Sequence, residues 1–570
     1  MTTSLRSEKT ASSTDDKNPV EGRGCHLFLV AALGIAGGAL ALWCSFDHAV
    51  PSWDAAGHLI NGLAYRELFR HAKPFDLHWY HQLLTVNCFY PPLTYVLSGA
   101  VKTILGTSLW TDSLMKVFYL TVLNISVFGL VSKLTKDRLA AVFTVLVVNL
   151  YPEVTAESHK SMLDFPVMAM TALSLFSLAN WNERRTWKRA SLVALATGAA
   201  LMTKQVCAAF LLLPFAFYSM TAVKDKKWNQ LGMLVFSGLA AGAALIPWMV
   251  VSAPTIKKVA AEIQVSLGNK QVSEVFFSNL ISYFGFLPAM ATPFLLIVAI
   301  ASVFLLKKER HKQLAVLWLS ALSGVVALST LTWQYALPRY SISALIVLAT
   351  YTGCALATLW RAEGLSKRTS TVVDGAAFQK AKFKGRAFAS AILALGAIAY
   401  TAINFSPYPL AENRFLDFVR AVSLRPVTHG TKDRFEHPCP DEDWGIGWAL
   451  WEIKNRDGDA PVWLNILPST QQMNVHAFEY FARHGNYLIK PTTSRSWSAA
   501  GDSSKFRQEE ALHYQWYLLK TGEQGFKFHD HHSRVGFEQL VNFIQAGGKY
   551  ELVGEKPLPD GSVASLYRQR

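Results

Sequence analysis

Eight ionisable residues stand at the edges of long apolar runs in this sequence: Asp54, His58, Glu157, His159, Lys160, Asp164, Lys204 and Arg339. They come from distant parts of the chain. Carboxylates and imidazoles can move protons, and Lys and Arg can hold an anion, arginine's planar fork being suited to bidentate contact with phosphate. The centres of the apolar runs carry almost no charge, whereas proton- and ion-coupled carriers place acids or bases inside the membrane. A reaction at one membrane surface fits this pattern better than a transport path.

Each residue also has a plainer reading. With Ser52 as N-cap, Asp54, His58, Asn61 and Tyr65 follow at helical spacing and share one face, while Ala56, Leu59, Ile60, Leu63 and Leu68 cover the other. Such a helix can lie in the membrane interface with its polar stripe toward a cavity. Equally, Asp54 can serve only to complement the helix dipole, and Asp164, just before Pro166, can do the same. Lys204, in LMTKQVCAAF, can snorkel to headgroups, and Arg339, in WQYALPRYS, has the same ambiguity. The run HDHH (His529 to His532) is a weak metal candidate, because no second ligand cluster stands at suitable spacing. There is no P-loop, no GxGxxG before a helix and no GxSxG. No paired aspartates flank Asp54, so no cofactor is indicated; a divalent ion is allowed but nothing asks for it.

The elements that must position these residues are membrane helices. The chain has 570 residues, 51% hydrophobic and 17% charged, with the apolar residues in long charge-poor runs, the mark of a polytopic membrane protein. Leu27 to Ser45 holds no charged residue and is long enough to cross about 30 Å of hydrocarbon. Further spans are expected near 113–132, 138–152, 164–181, 188–203, 206–222, 230–252, 279–306, 313–332, 339–360 and 387–404, about eleven in all. The run from Pro92 to Leu105 reads as a juxtamembrane or re-entrant helix, because counting it as a span would move every later basic loop across the membrane.

The net charge of +15 resides mostly in short loops between apolar runs, which points to membrane orientation and away from nucleic acid. KLTKDR, NERRTWKR, KDKKW, KKERHK and the segment Arg361 to Arg386 then fall on the cytoplasmic side with the N-terminus. Residues 1–24 read as a disordered cytoplasmic tail, 25–404 as the membrane domain, and 405–570 as an extracytoplasmic soluble α/β domain. The last contains strand-like runs such as VWLNIL and YELVGE, with helical patterns near 508–520 and 536–546. The candidate site residues all fall on the non-cytoplasmic face, as does the loop from Glu153 to Leu163. The six cysteines show no CxxC spacing, and Cys88 and Cys439 are the pair that would meet outside the membrane if a disulfide forms.

Five stretches in this order resemble the GT-C superfamily of membrane glycosyltransferases, in the branch of protein O-mannosyltransferases, lipid A aminoarabinose transferases and lipopolysaccharide-core transferases. They are WDAAGHLINGLA (Trp53 to Ala64), FYPPLTYVLSG (Phe89 to Gly99), SHKSMLDFPVMA (Ser158 to Ala169), LMTKQVCAAFLLLP (Leu201 to Pro214) and LPRYSISAL (Leu337 to Leu345). The resemblance implies that Asp54 is the first-loop catalytic aspartate and that Glu157 or Asp164 is the second-loop acid, the choice between them staying open. It also implies that Lys204 and Arg339 face the donor phosphate, with His58, Tyr90, His159, Lys160 and Tyr340 at the substrates.

The implied reaction is inverting transfer of a sugar from a polyprenyl-phosphate donor to a lipid, glycan or protein acceptor, with Asp54 as general base. Nucleotide sugars are made in the cytoplasm, so a site on the other face favours a lipid-linked donor. A multi-pass protein of a bacterial inner membrane is expected, since the chain lacks the large domain inserted between spans in the eukaryotic mannosyltransferases it resembles. A transporter or flippase of lipid-linked sugars, its polar face forming an entry vestibule, is the alternative from a different class, and a non-catalytic scaffold is a third.

Overall fold

The computed structural model describes residues 19–267, 271–331, 336–361, 375–405, 438–439, 441–493, 508–525 and 531–570. Residues 1–18 of the expected tail, residues 406–437, and His529 and Asp530 of the HDHH run lie outside them. Helix α1 (Pro19–Phe46) begins before the expected tail boundary at Gly24. Three short helices fill the first connection: α2 (Trp53–Arg70), α3 (Leu77–Thr85) and α4 (Leu93–Leu105). The bundle continues through α5 (Leu109–Thr135), α6 (Arg138–Asn149), α7 (Pro152–His159), α8 (Asp164–Glu183), α9 (Trp187–Thr203), α10 (Cys207–Lys224) and α11 (Trp228–Leu267). It closes with α12 (Val272–Ala291), α13 (Pro293–Leu305), α14 (Lys308–Leu331), a 3₁₀ turn (Pro338–Ala344), α15 (Leu345–Arg361) and α16 (Gly375–Asn404).

Among the described residues seven helices are long and apolar enough to cross a bilayer, or nine if each of two bent pairs is one span. The other two expected spans correspond to α8, which opens on Asp164, and α9, which is 17 residues long. Most of α8 is buried, packed against α5, α9 and α10. A helix enclosed by other helices meets little lipid and can carry polar ends. The chain is thus a multi-pass membrane protein.

Several expected boundaries need correction. The stretch 279–306 is not one straight span: α12 and α13 meet at 110° around Thr292, whose φ is +60°, and Pro293 then starts the next helix. The expected loop from Glu153 is instead the wholly buried helix α7, bent 64° from α6, with Pro152 at its first turn. Helix α11 runs 40 residues, well into the segment expected to connect the next two spans.

The two ends of α8 separate the molecule's chemistry. Asp164 is its first residue and Glu183 its last; twenty helical residues rise about 30 Å, the thickness of a hydrocarbon core. At the far end Glu183 takes Lys133 at 2.5 Å and Lys136 at 2.6 Å, and Asp137 takes both guanidinium nitrogens of Arg361 at 2.7 and 2.8 Å. The basic loops therefore gather opposite the acids of the candidate site.

The C-terminal region forms a five-stranded sheet of order β2-β1-β3-β5-β4. Its elements are α17 (Ile446–Asp457), β1 (Val462–Ile466), α18 (Val475–His484), β2 (Ile489–Thr492), α19 (Gln508–Ala511), β3 (Trp516–Lys520), α20 (His531–Ala546), β4 (Tyr550–Pro557) and β5 (Val563–Gln569). Strands β2, β1 and β3 are parallel, while β5 pairs antiparallel with both β3 and β4. The expected helix over 508–520 stops after one turn, because WYLLK becomes the central strand. Trp516 and Leu518 face a core with α17 and α18, and Tyr517 and Leu519 face one with α20. A strand buried on both faces carries a continuous apolar run that periodicity cannot separate from a buried helix. Cys88 and Cys439 are free thiols, not a disulfide; the backbone N–H of Cys439 donates to Asp47 at 3.0 Å.

The apolar face of α2, expected to be turned to the membrane interface, is covered by protein. Ala56, Ile60 and Leu63 pack instead under Tyr480 of α18, whose hydroxyl donates to Asp112 at 3.4 Å. The polar face is pressed against α4, where a Cβ on Gly99 would lie 2.5 Å from the Tyr65 Cβ and 2.9 Å from the Arg66 nitrogen. Gly57, by contrast, has open space around it. Gly99→Val is expected to lower stability by about 1–3 kcal/mol through overpacking, whereas Gly57→Ala stays neutral or gains slightly; thermal unfolding of the detergent-solubilised protein reads the difference.

Candidate functional site

The acids and cations converge at the N-terminal ends of α2 and α8. Ser52 takes the N-cap position of α2 with extended backbone, but its side chain makes no capping bond. In the first turn that follows, the Asp54 side chain is 66% exposed, whereas that of Asp164, leading α8, is 3% exposed. Lys204 is held in the turn between α9 and α10, its Nζ 2.7 Å from Asp164 Oδ1. Arg339, in the 3₁₀ turn before α15, links the two aspartates: its Nη2 is 3.5 Å from Asp54 Oδ2 and its Nε 3.5 Å from Asp164 Oδ2.

Two tyrosines fix the cations. Lys204 Nζ lies 5.3 Å from the ring centres of both Tyr90 and Tyr340, and the Arg339 guanidinium lies 5.4 Å from Tyr340. Each is within cation–π range. Burial alone would depress the Lys204 ammonium, but the Asp164 carboxylate outweighs it and raises the group above its ordinary value. Lys204 therefore stays charged. The contacts of Arg339 are longer than a good charge-assisted hydrogen bond, about 2.7–2.9 Å, so its fork can turn to a better anion.

A second ion pair adjoins the first. Glu157, buried on α7, accepts from Lys160 at 2.8 Å, and Lys160 in turn borders a cavity of about 570 Å³. Trp53, Asp54, Lys160 and Arg339 form the bundle side of that cavity; Ser469, Gln471 and Gly525 of the C-terminal region form the other. His58 lies behind the tyrosines, its Nδ1 2.8 Å from the Tyr95 hydroxyl and its ring 5.6 Å from that of Tyr90. Burial, reinforced by Lys204, lowers its pKa to about 4, so it is neutral near pH 7. His159 points elsewhere, stacked on Trp43 of α1 at 3.7 Å.

The fold thus brings together Asp54, Asp164, Lys204, Arg339, Tyr90 and Tyr340, sets Glu157 and Lys160 beside them and His58 behind, and separates His159. Sequence reading missed Tyr95, although it lies inside the FYPPLTYVLSG stretch. It also missed Trp53, Ser469 and Gln471 as cavity walls; no spacing connects Ser469 to Trp53, whose indole N–H donates to the Ser469 hydroxyl at 3.3 Å. No group of three or more His, Cys, Asp or Glu could hold a metal ion among the described residues.

Residues 70–263 match the family model described as dolichyl-phosphate-mannose-protein mannosyltransferase. The match includes Tyr90, Glu157, Asp164 and Lys204 but not Asp54 or Arg339. Among solved structures, ArnT from Cupriavidus metallidurans bound to undecaprenyl phosphate superposes with a TM-score of 0.54 at 11% identity, covering 94% of this chain and 97% of that one. The apo form of ArnT from the same organism gives 0.53 at 13% identity, with 96% and 98% covered. No curated protein sequence matches the chain significantly. Residues 70–263 thus resemble that mannosyltransferase family model, and the chain as a whole shares the fold of ArnT.

Proposed function

We propose that this protein transfers a sugar from a polyprenyl-phosphate-linked donor to a hydroxyl or amine on a lipid, glycan or protein acceptor, with inversion at the anomeric carbon. The observation that carries the reading is the bridge from Asp54 through Arg339 to Asp164 and Lys204, which sets an exposed acid beside two fixed cations at one end of the bundle. The donor class is supported by ArnT being bound to undecaprenyl phosphate and by a family model described for a dolichyl-phosphate-linked sugar.

In this mechanism the donor phosphate lies against Lys204 and Arg339. Asp54 takes the acceptor proton as the acceptor oxygen or nitrogen attacks the anomeric carbon from the opposite face. The bond from that carbon to the phosphate oxygen breaks, and the electron pair leaves on polyprenyl phosphate. A phosphate leaving group needs charge stabilisation more than a proton, and cations in a partly desolvated site supply it, Lys204 from its fixed place and Arg339 by a turn of its fork. Asp164 is the second-loop acid in this scheme, since it touches both cations, while Glu157 is already engaged by Lys160. As Arg339 turns to the phosphate it gives up its contact with Asp54, which leaves that carboxylate open to the acceptor.

The site face is assigned to the extracytoplasmic side of a bacterial inner membrane, with the N-terminus cytoplasmic, because the basic loops occupy the opposite end of α8. On the same reading residues 25–404 make the catalytic membrane domain and 405–570 the extracytoplasmic α/β domain. No nucleic acid partner is part of it.

Three outcomes are expected. Asp54→Asn should cut release of free polyprenyl phosphate from a panel of polyprenyl-phosphate sugars by about 10²- to 10⁴-fold, read by mass spectrometry, with melting unchanged. Unaffected release would make Asp54 a helix-dipole residue, and no release by folded wild type from any donor would favour the flippase. Arg339→Lys keeps the charge but loses the fork, so the donor kcat/KM should fall about tenfold or more with little change in melting. Lys204→Met, by contrast, strands buried Asp164 and should cost about 3–5 kcal/mol of stability.

His58 gives a fourth. Its folded pKa, about 4, lies below the ordinary 6.5, so the unfolded chain binds more protons between those values. Its contribution to stability is full above pH 6.5 and is lost as the pH falls toward 4. A pH series of melting temperatures should show this decline in wild type and a shallower one in His58→Gln.

A further inference from the structure

In an open α/β sheet, ligands bind outside the carboxyl ends of parallel strands where the connections leave in opposite directions. The C-terminal sheet has such a point between β1 and β3. From β1 the chain goes through α18 to β2 on one side; from β3 it goes through α20 to β4 on the other. The segments that follow these two strands, 467–474 and 521–525, meet over the gap.

Their meeting is built, not incidental. The backbone N–H of Ser469 donates to the Gln524 carbonyl at 2.8 Å. Gly525, at φ +77°, lies so close that a Cβ there would stand 2.2 Å from the Ser469 carbonyl oxygen. Asn474, which caps α18, donates to the carbonyls of Thr470 at 3.2 Å and Gln471 at 3.1 Å. Lys520, at the end of β3, has a fully buried side chain, with its Nζ 2.8 Å from Asp560 and 3.1 Å from the Glu523 carbonyl.

This switch point opens into the same 570 Å³ cavity that holds Asp54. Its wall offers a hydroxyl from Ser469, a carboxamide from Gln471 and the bare backbone of Gly525, and opposite them stands the indole of Trp53. Among the described residues the charges of the cavity, on Asp54, Lys160 and Arg339, come from the bundle side. A carboxamide and a hydroxyl exchange hydrogen bonds with neighbouring hydroxyls, and an indole face covers the C–H face of a sugar ring. An uncharged polyhydroxylated acceptor satisfies these groups, whereas the described counter-charges for a phosphorylated one stand beside the donor.

We propose that the C-terminal sheet region holds the acceptor, that the acceptor is a neutral carbohydrate, and that Ser469, Gln471 and Trp53 orient its hydroxyl toward Asp54. The proposal rests on the transferase reading above and deepens it. The new glycosidic bond forms from that hydroxyl oxygen to the anomeric carbon, the proton goes to Asp54, and polyprenyl phosphate leaves as before. Ser469 and Gln471 are positioning residues in this scheme.

The test uses the full-length protein in nanodiscs, a glycan array of neutral and phosphorylated oligosaccharides, and the variants Gln471→Ala and Ser469→Ala, each checked for unchanged melting. Binding of neutral oligosaccharides is expected, weakened about three- to tenfold by either variant, as loss of one neutral hydrogen bond predicts. Acceptor KM should rise in parallel, by a larger factor than donor KM. Oligosaccharide binding absent from wild type, or unmoved in both variants, overturns the proposal, as does undiminished transfer by both variants to a serine-containing peptide or a lipid. If the array binds as expected but wild type releases no polyprenyl phosphate from any donor, the carbohydrate site stands and the transferase reading falls.

Discussion

The buried pair of Lys204 and Asp164 is the constraint around which the membrane part is arranged. Each charge alone would cost several kcal/mol to take out of water, and only close approach with further partners repays it. The contact at 2.7 Å needs the start of α8 and the turn after α9 at one level, and the flanking rings of Tyr90 and Tyr340 need the first connection and the 3₁₀ turn at that level too. Arg339 then reaches Asp164 and Asp54 from one position. The exposed acid is thus located by the buried one. Asp54 needs no anchor of its own beyond the register of α2, which Gly99 permits by letting α2 and α4 touch.

The C-terminal region is held to the bundle by polar and apolar contacts of unlike kind. Lys102, 2% exposed on α4, is paired with Asp112, and Asp112 also accepts from Tyr480. Around that polar point Ala56, Ile60 and Leu63 close an apolar seam with α18. A charged group with two partners sets orientation, and the seam supplies area removed from water. Helix α2 is therefore clamped between α4 and α18. It carries Asp54 as part of an inter-domain contact, so the cavity has walls from both units.

Much of this was legible in the sequence, and the failures have physical causes. Charge at the ends of apolar runs is legible because lipid forbids it in the middle; Asp54, Asp164, Lys204 and Arg339 were all found that way. The pairing among them was not, since residues 54 and 339 share no local signal. The apolar face of α2 is readable as a membrane-interface face because a hydrophobic stripe does not say what covers it, and here Tyr480 does. WYLLK was read as helix because a strand buried on both sides loses its alternation. The resemblance puts His159 at the substrates, yet neighbouring residues leave a helix end in different directions, and it stacks on Trp43.

The charge count at the site bears on how a lipid phosphate would be received. Asp54, Asp164 and Glu157 stand against Lys160, Lys204 and Arg339, so the described groups balance before any donor arrives. A balanced set does not repel an anion, but it does not attract one strongly over distance either. Binding would then depend on a local exchange in which the phosphate takes over the loosely held fork of Arg339 from Asp54. In the proposed mechanism that exchange would couple the two halves of the reaction: the contact that stabilises the leaving group would be the one whose transfer opens Asp54 to the acceptor. On the proposed mechanism a donor lacking phosphate would leave Arg339 on Asp54, so selectivity for the activated lipid would follow from one arginine.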